Sequence, residues 1–384
     1  MASCFITSIS SQITLITILI ITLHSSSSSI AISKTNPLPF KKIYAFGDSF
    51  TDTGNTRSVS GPSGFGHVSN PPYGITFFHR PTNRYSDGRL VIDFVAQSLA
   101  LPFLPPYKTV KGNSPHGVNF AVAGSTAIEY DFFVKNNLTL DITPQSIQTQ
   151  LLWFNKYLES LGCKNLDWRC EAAEFDDSLF WVGEIGVNDY AYTVGSTISQ
   201  DTIRELAVGR FTGFLTALLN KGAKYVVVQG LPMTGCLPLA MTLAPEDDRD
   251  DIGCVKSVNN QSYTHNLAIL NKLKDIRRQF PHAVITFADY WSAYRRVMQN
   301  PGQFGMTERF KACCGLGDPY NFEVFTTCGT PSVKTACKNP SQYINWDGVH
   351  LTEGMYKVVS DMFLKGRLSY PPFNYLLDKK LRQG

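Results

Sequence analysis

Charge is scarce in this chain: Asp, Glu, Lys and Arg make up 17% of its 384 residues, and the net charge is only +4. No Lys/Arg cluster runs along it. A nucleic-acid partner needs a basic stripe that tracks phosphates, so that class of function is excluded. Long apolar runs are also missing: beyond residue 23 no segment approaches the roughly 20 apolar residues that cross a bilayer, so no integral membrane segment is expected in the mature chain. Histidine is sparse, with seven in all, and none interleaves with Cys313, Cys314, Cys328 and Cys337 at zinc-finger spacing. No repeat of 20 to 50 residues is visible, which removes solenoids.

What is present begins with an apolar run at 13–23, ITLITILIITL, too short for a comfortable mature span and followed by serines and then Ala31-Ile32-Ser33. That order predicts a signal peptide over 1–33, cleaved between 25 and 33, although only the α-amino group supplies positive charge ahead of the run. A membrane anchor is the competing reading, and the run lacks the length for it. Eight cysteines remain after the leader, an even count that suits a disulfide framework in a secreted chain. Eight thiols allow 105 pairings, and close spacing favours Cys163 with Cys170 and Cys236 with Cys254. Sequons at Asn137 and Asn260 fit a glycosylated surface.

Period and punctuation give the elements. Residues 43–46, 117–123, 178–182, 225–229 and 284–288 are short apolar runs that stop at Gly or polar residues and predict strands. Helical spacing predicts helices over 87–99, 144–161, 201–221, 258–280 and 352–364. Alternating strands and helices imply a parallel sheet covered on both faces. Residues 58–84 read as a Gly/Pro-rich loop near the end of the first strand, 301–342 as a cysteine-held excursion, and the stretch after Pro371-Pro372 as a basic tail. One domain over 34–384 is expected.

The chemistry converges on Lys42 to Asn55, KIYAFGDSFTDTGN. A strand ending in Gly-Asp-Ser carries a small hydroxyl to the carboxyl edge of a sheet, where open α/β folds bind ligands, so Ser49 is the candidate nucleophile. The alternative is ordinary turn chemistry, since Ser, Thr, Asp and Gly also cap backbone donors. Asp48, Thr51, Asp52 and Asn55 are expected to shape that turn. Asp347 lies three residues before His350, close enough for a carboxylate to fix the tautomer of a general base, although a pair capping the last helix is the competing reading. Gly124 and Asn188, each just past a strand, are candidate oxyanion donors beside the Ser49 amide, or simple turn residues. His67, His79 and His116 fall in loops, and His265 and His282 read as helix-surface residues.

FGDSFTDTGN, VNFAVAG, GEIGVND and DGVH occur in that order, with PPYG, RYSDGRL, CCG and NWDGVHLT between or around them. Together these blocks resemble the SGNH hydrolases, and more closely the secreted plant-type GDSL esterase/lipase family. The resemblance implies an α/β fold, a flavodoxin-like three-layer α/β/α sandwich with a mostly parallel sheet. It also implies Ser49, Asp347 and His350 as catalytic residues, an oxyanion hole from Ser49, Gly124 and Asn188, and no metal or organic cofactor. The expected function is a secreted serine carboxylester hydrolase acting on a small-molecule ester. An acyltransferase using the same acyl-enzyme shares every one of these residues, and a non-catalytic binding protein would have no need of them. The α/β-hydrolase alternative requires Gly-x-Ser-x-Gly, and Thr51 stands where its second Gly should be.

Overall fold

Side-chain alternation along the strands decides the layering. In β1 (Lys42–Phe46), Ile43 and Ala45 enter one hydrophobic cluster while Tyr44 and Phe46 enter another. Strands β3 (Ser178–Val182) and β4 (Tyr225–Gln229) split the same way, Leu179, Trp181, Tyr225 and Val227 against Phe180, Val182, Val226 and Val228. Both faces are buried, which is why these strands read as continuous apolar runs. The computed structural model describes residues 39–58, 63–138, 142–163 and 174–383. The expected signal peptide over 1–33, Cys170 and Thr139 of the first sequon therefore lie outside the described residues, and so does the Cys163–Cys170 pairing.

The sheet runs β2 (Gly117–Asn119), β1, β3, β4, β5 (Val284–Ala288), β8 (Ser369–Tyr370), all parallel except β8 against β5. A separate parallel pair joins β6 (Glu308–Ala312) to β7 (Tyr343–Asn345). On the first face pack α1 (Val91–Ser98), α5 (Tyr290–Gln299), α6 (Glu353–Leu364) and α7 (Phe373–Gln383). On the other lie α2 (Ile147–Ser160), α3 (Gln200–Asn220) and α4 (Lys256–Gln279). This is the three-layer flavodoxin-like arrangement. Its strand order reverses direction between β1 and β3, and the crevice outside the carboxyl ends of those two strands is where such sheets bind ligands.

Several boundaries differ from the sequence reading. The second strand is three residues long, because Asn119 turns its N–H to Pro105 O while Phe120 and Val122 still reach Ala45 O and Gly47 O. The first helix starts at Val91 rather than 87, since Asp87 accepts from Thr76 and from the Glu353 amide instead of capping its own helix. Residues 290–299 form a helix that the spacing did not single out, and the basic tail is α7, docked through Phe373 and Leu376. Cys236–Cys254 pairs as the spacing favoured, and Cys313–Cys337 and Cys314–Cys328 staple the excursion. Those late cysteines are thus disulfides, which leaves no thiolates for zinc. Their loop packs with Val68, Tyr73, Tyr85, Ala123 and Trp346 in a third cluster, which brings residues from 65–85 and 313–337 beside the strand ends. Among the described residues no helix is long and apolar enough to cross a membrane.

Candidate active site

The turn after β1 is built around a glycine whose backbone conformation other residues rarely adopt. Gly47 has φ +141°, and a Cβ there would sit 3.2 Å from Gly183 Cα and 3.3 Å from Glu184 O on the neighbouring strand. Gln150 of α2, fully buried, clamps it from the other face: Gly47 N donates to Oε1 at 3.0 Å, and Nε2 donates to Gly47 O at 2.7 Å and to Ser125 Oγ at 2.9 Å. Beyond it Asp48 O accepts from Thr51 N and Asp52 N, and Asp48 Oδ1 from Phe50 N, so Ser49 sits at the apex of a closed turn with 6% of its surface exposed. Asp52 accepts from the amides of Gly54, Asn55, Thr56 and Ala123, and the Asn55 side chain donates to Asn119 O and Ala121 O. These are the turn-shaping roles the sequence suggested, and they tie the Ser49 loop to the strand that leads to Gly124.

Asp347 and His350 come together in the turn between β7 and α6. His350 Nδ1 lies 2.9 Å from Asp347 Oδ2 and 3.0 Å from Oδ1, and the amides of Val349 and His350 both donate to Oδ1 at 2.7 Å. Tyr73, from the loop at 63–84, donates to Oδ2 at 2.8 Å. Burial alone would raise the Asp347 carboxyl, but the charge of His350 and the hydrogen bonds from His350 and the Val349 amide outweigh it and hold it at about 2. The imidazole packs between Tyr85, at 4.5 Å between ring centres, and Phe50, at 5.4 Å, so the residue after Ser49 packs against the His350 ring. His350 Nε2 is buried and has no hydrogen-bond partner among the described residues, so a bond to Ser49 Oγ is not formed here. Such bonds are often long until substrate binds.

Gly124 and Asn188 meet at the same edge. Gly124 has φ +75°, and a Cβ would fall 2.2 Å from Thr143 Oγ1, 2.3 Å from Phe65 Cε2 and 2.6 Å from Tyr192 OH. Asn188 is the second residue of the short helix Val187–Ala191, and its amide nitrogen donates to Asp48 Oδ2 at 2.9 Å and to Ser125 O at 3.0 Å. One side chain therefore links the Ser49 turn to the Gly124 loop. Its neighbour Asp189 accepts from Ala127 N and Ile128 N at 2.9 and 2.8 Å, and burial pushes its carboxyl up to about 7.

Sequence reasoning missed Tyr73, Tyr85, Gln150, Glu184 and Asp189. It also misplaced His265, which is a buried residue of α4 rather than a surface one. Its Nδ1 lies 3.0 Å from Tyr190 OH, and burial depresses it to about 3. The signal was available: His265, Ile269, Leu273 and Ile276 share one helical stripe, all buried. His282 is exposed in the turn after α4, and His79 and His116 are exposed in loops. His67 lies with its Nδ1 3.5 Å from Thr327 Oγ1. Among the described residues no group of three or more His, Cys, Asp or Glu side chains could hold a metal ion.

The model for the GDSL-like Lipase/Acylhydrolase family matches residues 43–363, which includes every element of the site. A GDSL esterase/lipase of Arabidopsis thaliana is 66% identical over 89% of this chain and 90% of its own length. A second one is 38% identical over 91% of each chain. Acetylajmalan esterase 2 of Rauvolfia serpentina is 39% identical over 83% of this chain and 88% of its own. The chain belongs to the GDSL-like lipase/acylhydrolase family.

Proposed function

We propose that this protein is a secreted serine carboxylester hydrolase, with Ser49 as nucleophile, His350 as general base and Asp347 as the acid that orients it. The observation that carries the reading is the state of the imidazole: Nδ1 is fixed on Asp347, while Nε2 is buried, unpartnered and on a ring that touches Phe50, next to Ser49. In that tautomer Nε2 can take the serine proton as Oγ attacks an ester carbonyl, and Asp347 stabilises the imidazolium that forms. The alcohol leaves with a proton from Nε2, and water then attacks the acyl-enzyme by the same relay in reverse.

The developing oxyanion is met by the amides of Ser49 and Gly124 and by the Asn188 side chain. Both Asn188 hydrogens are engaged, so one must be shared. Ser125 O is a neutral acceptor and Asp48 a carboxylate, so the hydrogen on Ser125 is released at lower cost. The leader over 1–33, the disulfides and the exposed Asn137 and Asn260 support secretion and glycosylation. An N-terminus between residues 26 and 34 in the secreted protein, and a mass shift on enzymatic deglycosylation, are the expected readouts.

The relative named for an acetyl ester makes p-nitrophenyl acetate the first substrate to try. Ser49→Ala is expected to lose several orders of magnitude in kcat on it and all labelling by a fluorophosphonate. Survival of activity in that variant would overturn the mechanism.

A further inference from the structure

Strands β1 and β3 pair to their ends, Phe46 opposite Val182, with Gly183 N donating to Phe46 O at 2.8 Å, and Asp48 and Glu184 stand two residues past that last pair, where their side chains interact. Both are buried, Glu184 completely. Asp48 has fixed donors, the Phe50 amide at 3.0 Å and the Asn188 side chain at 2.9 Å. Glu184 has none: both carboxylate oxygens are buried and without a hydrogen-bond partner among the described residues, and its carboxyl faces that of Asp48. Two facing carboxyls with no donor between them can bond only through a proton that one of them carries. The other titratable groups facing the pair are Asp52, Asp189, His350, Tyr192, Tyr290 and Tyr356, and of these only His350 can become a cation.

We propose that Glu184 is a positioning residue, held as the neutral acid and donating its proton to Asp48, so that the pair carries one negative charge that fixes the Ser49 turn and the Asn188 amide. The proton belongs on Glu184 because Asp48 already accepts from two donors and is the better place for the charge. In agreement, burial and the neighbouring Asp48 charge push Glu184 well above the carboxylate range, whereas burial raises Asp48 to about 6. When Glu184 loses its proton at alkaline pH, two adjacent buried charges repel and the hold on Asn188 and Phe50 weakens. The enzyme thus carries an alkaline decline in kcat whose origin is behind the nucleophile.

This inference rests on the serine mechanism above, and Ser49→Ala tests that separately. The full mature chain is compared with Glu184→Gln, which keeps an N–H donor but cannot ionise, and Glu184→Leu, which keeps neither. Glu184→Gln is expected to stay within about threefold of the parent kcat near neutral pH and to lose the alkaline decline. Glu184→Leu is expected to lose about tenfold or more in kcat with KM little changed. Difference infrared between the parent and Glu184→Gln at neutral pH should show the carbonyl stretch of a protonated carboxylic acid. That spectrum does not depend on activity, and with the Gln pH profile it decides the matter if the Leu variant does not fold. Carboxylate bands in its place, equal impairment of both variants, or a Leu variant with the parent kcat would each overturn the assignment.

Discussion

Replacing Asp347 by Asn tests the serine mechanism at its most geometric point. The side chain cannot choose its orientation freely, because two rigid backbone donors, the amides of Val349 and His350, converge on Oδ1 at 2.7 Å. In the Asp347→Asn variant the carbonyl oxygen must take that place, which puts the NH2 group where Oδ2 was, 2.9 Å from His350 Nδ1. Tyr73, whose hydroxyl now donates to Oδ2, can rotate its hydrogen away and accept instead. The imidazole has no such freedom: Nδ1 must become an acceptor, and the ring proton moves to Nε2, the atom that should receive the serine proton. An inverted tautomer of this kind costs about 10⁴ in kcat, or about 5.4 kcal/mol of barrier. The loss of charge also removes native-state stability. A carboxyl at about 2 rather than 3.8 is worth about 2 kcal/mol above that range, so a melt must show that the variant is folded at the assay temperature. Steady-state kinetics on p-nitrophenyl acetate decide the matter. A folded Asp347→Asn enzyme that keeps more than about a tenth of the parent kcat refutes the assigned tautomer.

Tyr73→Phe removes one of the donors to the same carboxylate while leaving the two amides in place, so stability should fall by about 1.5–3 kcal/mol in denaturant titrations. The kcat should fall by about tenfold, and a change below twofold in both would mean that Tyr73 only fills space. Gly124→Ala puts a Cβ 2.2 to 2.6 Å from Thr143, Phe65 and Tyr192 at a φ of +75°, so the soluble yield or melting temperature should drop together with activity. Normal yield and activity would show that the loop has room to move. The pH dependence of stability has a definite sign. Asp189 at about 7 and Asp48 at about 6 lie above their unfolded values and together outweigh buried His265, which at about 3 favours the unfolded state below about 6.5, so on balance the native state binds more protons and gains stability as pH falls from about 7 towards 4. Asp347, at about 2, contributes stability that is lost only below about 4. The denaturation midpoint should therefore peak in mildly acidic buffer, and a midpoint that climbs steadily from pH 4 to 7 would contradict these shifts.

The parts of the site that were legible in sequence are those whose chemistry is local. Ser49 ends a strand at a glycine, Asp347 and His350 share one turn at i, i+3, and Gly124 and Asn188 follow strands at breaks in the apolar pattern. The fold was legible for the same reason: both faces of each parallel strand are buried, so the strands stand out as solid apolar runs. Boundaries failed where a partner outside the element competed for its ends, as Pro105 O does for Asn119 and Glu353 for Asp87. His265 reads as a surface residue because it stands between polar Thr264 and Asn266, while its burial follows from the stripe it shares with Ile269 and Leu273.

The residues that hold the site together left no local trace, because each acts across a long stretch of chain. Tyr73 reaches Asp347 over 274 positions, Asn188 reaches Asp48 over 140, Gln150 reaches Gly47 over 103 and Asp189 reaches Ala127 over 62. In sequence Gln150 is one polar position on a helix whose visible stripe is aromatic, and Tyr73 is one letter in a proline-rich loop. Yet these contacts converge on two small objects, the Ser49 turn and the Asp347 carboxylate, whose placement decides whether oxygen, imidazole and oxyanion donors can meet. Intact signature blocks are therefore necessary for this chemistry but not sufficient. On the proposed mechanism a chain could keep FGDSFTDTGN and DGVH letter for letter and still be inactive if Gln150 or Tyr73 no longer bridged to them, because in it the blocks supply the reacting groups and the distant partners their alignment.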